Sequence, residues 1–335
     1  VQTVETIIQG NVYAVSDKLS IVAVDTSLLK RINLGEGNRS HVVQNNYGIV
    51  ATGERITVTG KKVSYSEPYP VKAEPMRQKD EASTGIQFLD VDQGMSYSYV
   101  YDVCEDSKGH LWFAMDASGV CKYDGINITN YTEKEGLSNN TVTSILQDRK
   151  TNLWFGTNNG ATYFDGKHFT QYTEKEGMLN KEILSISEDR KGNIWFSSKG
   201  GLTKYNGNEF IHFTVKEGLS CDTVYQTMED RDGNIWIATH KGLLKFNGNT
   251  FIHFTEENGL ISNGVTSVME GENGLVWIGS NKGMSKFDGK TFTHFNKKEG
   301  LSDNSVWSLM KDRRGNLWIS TTDGGLNKFD GKVFT

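Results

Sequence analysis

Apolar and polar residues alternate along this chain in short runs broken by glycine. Glu182-Ile-Leu-Ser-Ile-Ser-Glu188 alternates at the period of a half-buried strand, and Ile194-Trp-Phe-Ser-Ser198, Leu202-Thr-Lys-Tyr205 and Glu209-Phe-Ile-His-Phe-Thr214 predict three more. The punctuation has its own chemistry. Asp189-Arg-Lys-Gly-Asn193 is a turn, with an aspartate able to cap and a glycine able to take positive φ. Asn206-Gly207 signals a two-residue hairpin, because a type I′ turn needs positive φ at both central positions. A longer loop, 215–222, leads to the next unit. Four antiparallel strands and no helix make up one unit.

The unit recurs. Trp112, Trp154, Trp195, Trp236, Trp277 and Trp318 stand 42 and then 41 residues apart, each inside a phrase such as Asn193-Ile-Trp-Phe or Asn316-Leu-Trp-Ile. We number the repeats one to six by these tryptophans. Tight hairpins recur at Asp124-Gly125, Asp165-Gly166, Asn206-Gly207, Asn247-Gly248, Asp288-Gly289 and Asp330-Gly331. A fixed period near 41 marks a repeat architecture, and four antiparallel strands per unit is a β-propeller blade. The six tryptophans are then expected in the core between blades and not as sugar-stacking residues. The fold class is all-β.

The repeated phrases resemble a known family. Gly-Leu-Ser-(Asn/Asp)-Asn-(Thr/Ser)-Val, then Asp-x-x-Gly-Asn-Leu-Trp-(Phe/Ile), then Gly-Leu-x-Lys-(Tyr/Phe)-(Asp/Asn)-Gly-Lys-x-Phe-Thr is similar to the two-component regulator propeller repeat, over residues 86–335. The resemblance implies a propeller. Members include periplasmic sensor halves of bacterial hybrid histidine kinases, which bind oligosaccharides, and shorter secreted or lipid-anchored proteins.

Residues 1–85 lack the tryptophan phrase but still read as strands at 11–15, 20–24, 47–51 and 55–59. Residues 1–65 are expected to form a degenerate β region, either additional blades or an N-terminal β extension. Pro68, Pro70 and Pro75, the three prolines of the chain, mark 66–85 as a linker. Gly85-Ile-Gln-Phe-Leu-Asp90 aligns with a fourth strand, and 332–335 ends the chain in one. The expected count is seven blades, with eight next, because an open six-blade arc would expose its edges.

Composition narrows the function. Thirty-six Lys and Arg against 41 Asp and Glu give a formal charge of −5, which offers no electrostatic footprint for nucleic acid. No apolar run is long enough for a membrane span. Cys104, Cys121 and Cys221 form neither a disulfide framework nor a metal motif. No nucleophile elbow, phosphate loop or metal-ligand spacing stands out, so no catalytic residue, metal or cofactor is expected. His212, His253 and His294 recur at the period and are expected on the surface of separate blades. Glu133, Glu135, Glu174, Glu176, Glu217, Glu256, Glu257 and Glu299 read as a solvated acidic rim.

Positions that differ between copies are the candidates for function. One position of the first strand reads Tyr101, Thr143, Leu184, Tyr225, Thr266 and Trp307, and the three aromatics could form a stacking platform. Four residues after each repeated tryptophan stand Asp116, Asn158, Lys199, His240, Asn281 and Thr322, polar loop residues suited to hydrogen-bond a hydroxyl-rich or zwitterionic ligand. The expected function is a non-catalytic binding module outside the cytoplasm, periplasmic or at the cell surface, holding a polar small molecule or oligosaccharide. The alternatives are a cell-surface scaffold for a protein partner and a propeller lyase or hydrolase, for which His240 and Lys199 are the nearest candidates.

Overall fold

In repeat three, Ile183–Glu188, Ile194–Ser198, Gly201–Tyr205 and Glu209–Phe213 form an antiparallel sheet in chain order. This computed structural model describes residues 94–97, 99–312, 314–331 and 333–335, and before them 21–23, 31–33, 43–45, 48–50, 54–58, 60–63, 71–72, 77–78, 87–88 and 91. The same four strands recur from Val100–Glu105 to Asn127–Tyr131 in repeat one and from Val142–Gln147 to Phe169–Tyr172 in repeat two. They recur from Val224–Glu229 to Thr250–Phe254 in repeat four and from Val265–Glu270 to Thr291–Phe295 in repeat five. Repeat six has three strands, Val306–Lys311, Leu317–Thr321 and Gly325–Phe329. Phe334 bridges Phe329, and Thr335 and Lys328 exchange backbone hydrogen bonds of 2.7 and 2.9 Å, so 333–335 stand where a fourth strand begins. Among the described residues the chain is an all-β array of six propeller blades.

One turn explains the repeated phrase. Asp189 closes the link between strands one and two: its carboxylate accepts the amides of Lys191 and Asn193, the Asn193 side-chain amide, and the Trp195 indole N–H at 2.9 Å. Asp106, Asp148, Asp230 and Asp312 hold Trp112, Trp154, Trp236 and Trp318 the same way, at 2.8 to 3.2 Å. A buried indole needs a partner, and the aspartate supplies it from within the turn. Repeat five departs: Gly271 replaces the aspartate, and Trp277 is half-buried instead of buried. On the other ring face, Lys204 stands 5.3 Å from the Trp195 centroid, and Lys122, Lys245, Lys286 and Lys328 repeat that contact.

Successive repeats bury complementary faces. The trailing face of repeat one, with Trp112, Ala114 and Val120, meets the leading face of repeat two, with Val142, Ile145 and Phe155. Trp154 and Ala161 meet Ile183, Ile186 and Phe196 of repeat three. Trp236, Ala238 and Leu243 meet Val265, Val268 and Ile278, and Met284 with Trp277 meets Val306, Leu309 and Ile319. Full burial of each such large side chain contributes roughly 1.5–3 kcal/mol, which is why one repeat does not stand alone.

The chain forms two compact units, one with repeats one to three and one with repeats four to six. In each, strands from before residue 90 add to the outer edges. Glu54–Thr57 pairs with Glu209–Phe213, Lys61–Val63 with Phe169–Tyr172, and Val71–Lys72 with Asn127–Tyr131. In the other unit Ile21–Ala23 pairs with Thr291–Phe295 and Arg31–Asn33 with Thr250–Phe254. These five blades are thus five-stranded, and the unpaired backbone groups of a fourth-strand edge are covered. The expected count of seven or eight blades is not met among the described residues: five early strands extend existing blades, and Val43–Asn45 and Gly48–Val50 form a two-stranded sheet, not a four-stranded blade. Gln87–Phe88 pairs with Arg77–Gln78 in a sheet of its own, not as a fourth strand. The strand expected at 11–15 and the three prolines lie outside the described residues.

Candidate functional site

The rim singled out by sequence is assembled from three parts of each repeat. The first is a β-bulge. In the first strand of repeat two, Val142 faces Thr157 and Ser144 faces Gly156, so Thr143 falls outside the ladder. The same slip occurs at Tyr101, Leu184, Thr266 and Trp307. A bulge releases one residue from pairing and re-aims its side chain. Thr143 and Thr266 use that freedom to donate to the carbonyls of Ile183 and Val306 in the next repeat, at 2.6 and 2.7 Å. An aromatic ring makes no such bond. Tyr101 is 47% and Trp307 66% exposed, whereas Tyr225, at the matching position of repeat four, is half-buried.

The second part is the turn after strand two. The backbone amides of Asp116, Asn158, Asn281 and Thr322 donate to Tyr99, Thr141, Gly264 and Ser305, which lie just before the first strands. These polar turns are therefore pinned beside the bulges of their own repeats. Their side chains are partly committed. Asp116 accepts from Thr141 Oγ1 at 3.3 Å, Lys199 pairs with Glu182 at 2.6 Å, Asn281 accepts from Ser262, and Thr322 donates to Ser305 at 2.8 Å. Asn158 and His240 are exposed. Tyr101 and Asp116 share one unit with Asn158 and Lys199, and Tyr225, His240, Asn281, Thr322 and Trp307 belong to the other.

The third part is the inter-repeat loop, where sequence reasoning missed two residues. Tyr97 and Tyr99 are exposed, and the Tyr99 ring lies 5.1 Å from Tyr101, edge to face at 71°. Burial, then the Asp116 carboxylate, then the neighbouring tyrosines push the Tyr101 phenol up, so it stays a neutral hydroxyl donor. The signal was present in the strand-period spacing Tyr97-x-Tyr99-x-Tyr101, which no other repeat carries.

Two expectations are corrected. His212 and His294 are buried, not on the surface. Each ring bridges its own blade, with Nδ1 3.0 Å from Thr203 Oγ1 in one and 2.9 Å from Ser285 Oγ in the other. The Nε2 atoms of His212 and His253 lie 3.0 Å from the carbonyls of Gly177 and Gly218 in the preceding loops. They face inward because strand alternation puts His212 on the side of fully buried Phe210. Much of the acidic rim is also structural. Glu135, Glu176, Glu217 and Glu299 close capping boxes by accepting the backbone amides of Thr132, Thr173, Thr214 and Asn296. No cluster of three or more His, Cys, Asp or Glu side chains among the described residues is placed to hold a metal.

Two cavities among the described residues sit at the other ends of the strands. One, of about 350 Å³, is lined by Lys150, Trp154, Tyr163, Glu188, Lys191 and Tyr205 between repeats two and three; another, of about 290 Å³, lies between repeats five and six around Trp277, Lys311 and Arg314. Neither contains a residue chosen from the sequence.

A family model described as two component regulator propeller matches 94–117, 136–159, 177–200, 218–241, 259–282 and 300–323, one segment in each repeat. The chain belongs to this family. Each match begins at the Gly-Leu or Gly-Met of the loop and ends in the turn after strand two, so the two component regulator propeller signature encloses bulge, tryptophan and rim together. No curated protein matches the sequence. Among solved structures, the chain is similar to the extracellular domain of the putative hybrid two component system BT3049 from B. thetaiotaomicron. That match has 21% identity and TM-score 0.67, covering 90% of this chain and 41% of that one. It is also similar to the extracellular domain of BT4673 from the same organism, at 19% identity and TM-score 0.57, covering 81% and 39%. Virginiamycin B lyase from Staphylococcus aureus shares the fold at 14% identity and TM-score 0.57, covering 71% and 83%. The chain thus spans about two fifths of those two extracellular domains. No helix of the described residues is long and apolar enough to cross a membrane.

Proposed function

We propose that this two component regulator propeller is a non-catalytic, extracytoplasmic sensor module that holds a glycan or other polar ligand on its bulge-bearing rim. The observation that carries this reading is the bulge. It places a side chain free of the ladder at one position in successive repeats, beside a polar turn pinned to the same strand, and that position varies between copies while its frame does not. In one unit Tyr101 supplies a ring face and Asp116, Asn158 and Lys199 supply donors and acceptors; in the other Tyr225 and Trp307 supply ring faces and His240, Asn281 and Thr322 supply donors and acceptors. The extracellular placement draws on the two sensor-domain relatives. Fold alone does not assign chemistry, as the lyase relative shows.

The test is a thermal-shift screen against oligosaccharides, followed by Trp307→Ala and Tyr101→Ala, because binding to the native state raises the melting temperature. A glycan class that shifts the wild type and loses affinity with either variant supports the reading. A ligand bound equally by both variants refutes the rim. The exposed Tyr97, Tyr99 and Tyr101 row supports a second reading, a flat docking surface for a protein partner, which a screen negative for every glycan would favour.

A further inference from the structure

Repeats five and six depart from the others at two positions that line one cavity. The turn after the first strand opens with aspartate in every repeat but the fifth, where it opens with Gly271. The first strand closes with Glu or Gln in every repeat but the sixth, where it closes with Lys311. Both residues line the cavity of about 290 Å³ between repeats five and six. The equivalent cavity between repeats two and three has Asp148 and Glu188 at these positions, so the chain itself supplies two carboxylates there. Between repeats five and six one carboxylate is gone and an ammonium stands in place of the other.

The groups that serve the aspartate elsewhere are still present. In the other five repeats its carboxylate accepts the indole N–H at 2.8 to 3.2 Å. The Trp277 indole N–H has no acceptor among the described residues. It is turned toward Gly271, where an added Cβ would lie 2.7 Å from Nε1, and both residues line the cavity. Lys286 stands 5.9 Å from the Trp277 ring centroid with no carboxylate partner among the described residues, whereas its counterpart Lys245 lies 3.8 Å from Asp230. The Arg314 guanidinium, on the cavity wall, has no partner among the described residues either. The turn does not replace the acceptor from within. Leu275 stands where other repeats have asparagine or histidine, and its amide donates to the Glu272 carbonyl at 3.1 Å. Two acids share the cavity wall and are engaged: Glu272 pairs with Lys311 at 3.1 Å, and Asp330 accepts the Val333 amide at 2.9 Å.

We propose that the cavity between repeats five and six binds the carboxylate of a small organic acid, which accepts from the Trp277 indole N–H and pairs with Arg314. The ligand takes the part that the turn aspartate plays in the other repeats. A carboxylate is the group this frame is built to hold, because the same indole N–H meets one in each of the other five. A planar guanidinium matches a carboxylate with two parallel N–H···O bonds, and Lys286 adds a second positive charge beside the ring. The volume is at the lower end for ligand pockets and admits one small molecule. The site lies at the opposite ends of the strands from the bulge-bearing rim and does not rest on the function proposed for that rim.

The experiment is a proton–nitrogen correlation spectrum of the indole N–H groups, titrated with sodium acetate at constant ionic strength. Acetate is the aspartate side chain as a free molecule, and Trp277→Phe identifies the Trp277 signal by its loss. That signal moves saturably, with a Kd of about 1–10 mM, while the indoles already held by aspartate stay in place. Acetamide, of the same shape without the charge, moves nothing. Arg314→Gln changes an exposed side chain, keeps the fold by circular dichroism, and weakens acetate binding by about tenfold or more. Gly271→Asp supplies the carboxylate from the chain itself and abolishes the response to acetate. A Trp277 signal that stays still up to about 100 mM acetate overturns the proposal. So does one that moves equally with acetamide, or one that responds unchanged in Arg314→Gln.

Discussion

Replacing Asp189 with alanine removes the acceptor that holds a whole turn. Its carboxylate accepts two backbone amides, the Asn193 amide group and the Trp195 indole N–H. The Lys191 amide is on an exposed residue and turns to water. Asn193 and Trp195 are buried, and their two side-chain donors lose the acceptor they point at. An unmet buried donor costs about 1–3 kcal/mol, so Asp189→Ala should lose about 3 kcal/mol of stability. The loss should depend on pH. Burial opposes ionisation of Asp189, but the hydrogen bonds from Asn193 and Trp195 together outweigh it and hold the carboxyl below its ordinary range. A depressed folded pKa means that the unfolded chain takes up the proton first. The stabilisation is complete above the unfolded value, about 3.9, and is lost as pH falls through the folded one. Urea unfolding, followed by tryptophan fluorescence and circular dichroism at pH 7 and again at pH 3, measures both effects. A loss under about 0.5 kcal/mol at pH 7, or a loss unchanged at pH 3, would refute the reasoning.

Other perturbations probe the remaining contacts. Burial holds the His294 imidazole below its ordinary pKa, so the folded state keeps it neutral while the unfolded state protonates near pH 6.5; stability should fall as pH drops below that value, and His294→Gln should flatten the dependence in urea titrations. Gly201 has φ +130° and an added Cβ would meet the Phe213 carbonyl oxygen at 2.5 Å, so Gly201→Ala should cost about 2 kcal/mol, read from the denaturation midpoint. Phe196 is 1% exposed between repeats two and three, and Phe196→Ala should cost about 3–5 kcal/mol; a smaller loss in calorimetry would mean that the interface collapses around the cavity.

The repeat itself was legible because each element in it is local. Aspartate, glycine, asparagine and tryptophan lie within seven residues, and the hydrogen bonds that join them never leave the turn. Candidate rim positions were legible for a related reason: six copies of one frame make a departure visible, and the bulge gives the varying residue its freedom. The fate of residues 21–72 was not legible. Short strands such as Lys61–Val63 read alike whether they open a blade or edge one, and their partners lie a hundred residues or more away in four of the sheets. The buried histidines were legible and misread. Alternation of Phe210 and His212 in one strand places both on one side, which the expectation of surface histidines passed over.

The early strands meet the blades in reverse order. Val71–Lys72 edges repeat one, Lys61–Val63 repeat two and Glu54–Thr57 repeat three, and in the other unit Arg31–Asn33 edges repeat four and Ile21–Ala23 repeat five. A ribosome makes these strands first and their partners afterwards, in the opposite sequence. Each new blade therefore captures a segment further back along the nascent chain, and Ile21 waits longest, until Thr293 has emerged. Long-range pairing of this sort is slow and leaves an edge exposed in the meantime. A pulse-chase with limited proteolysis should accordingly find Ile21–Ala23 protected only after repeat five is made, although it is synthesised long before its partner.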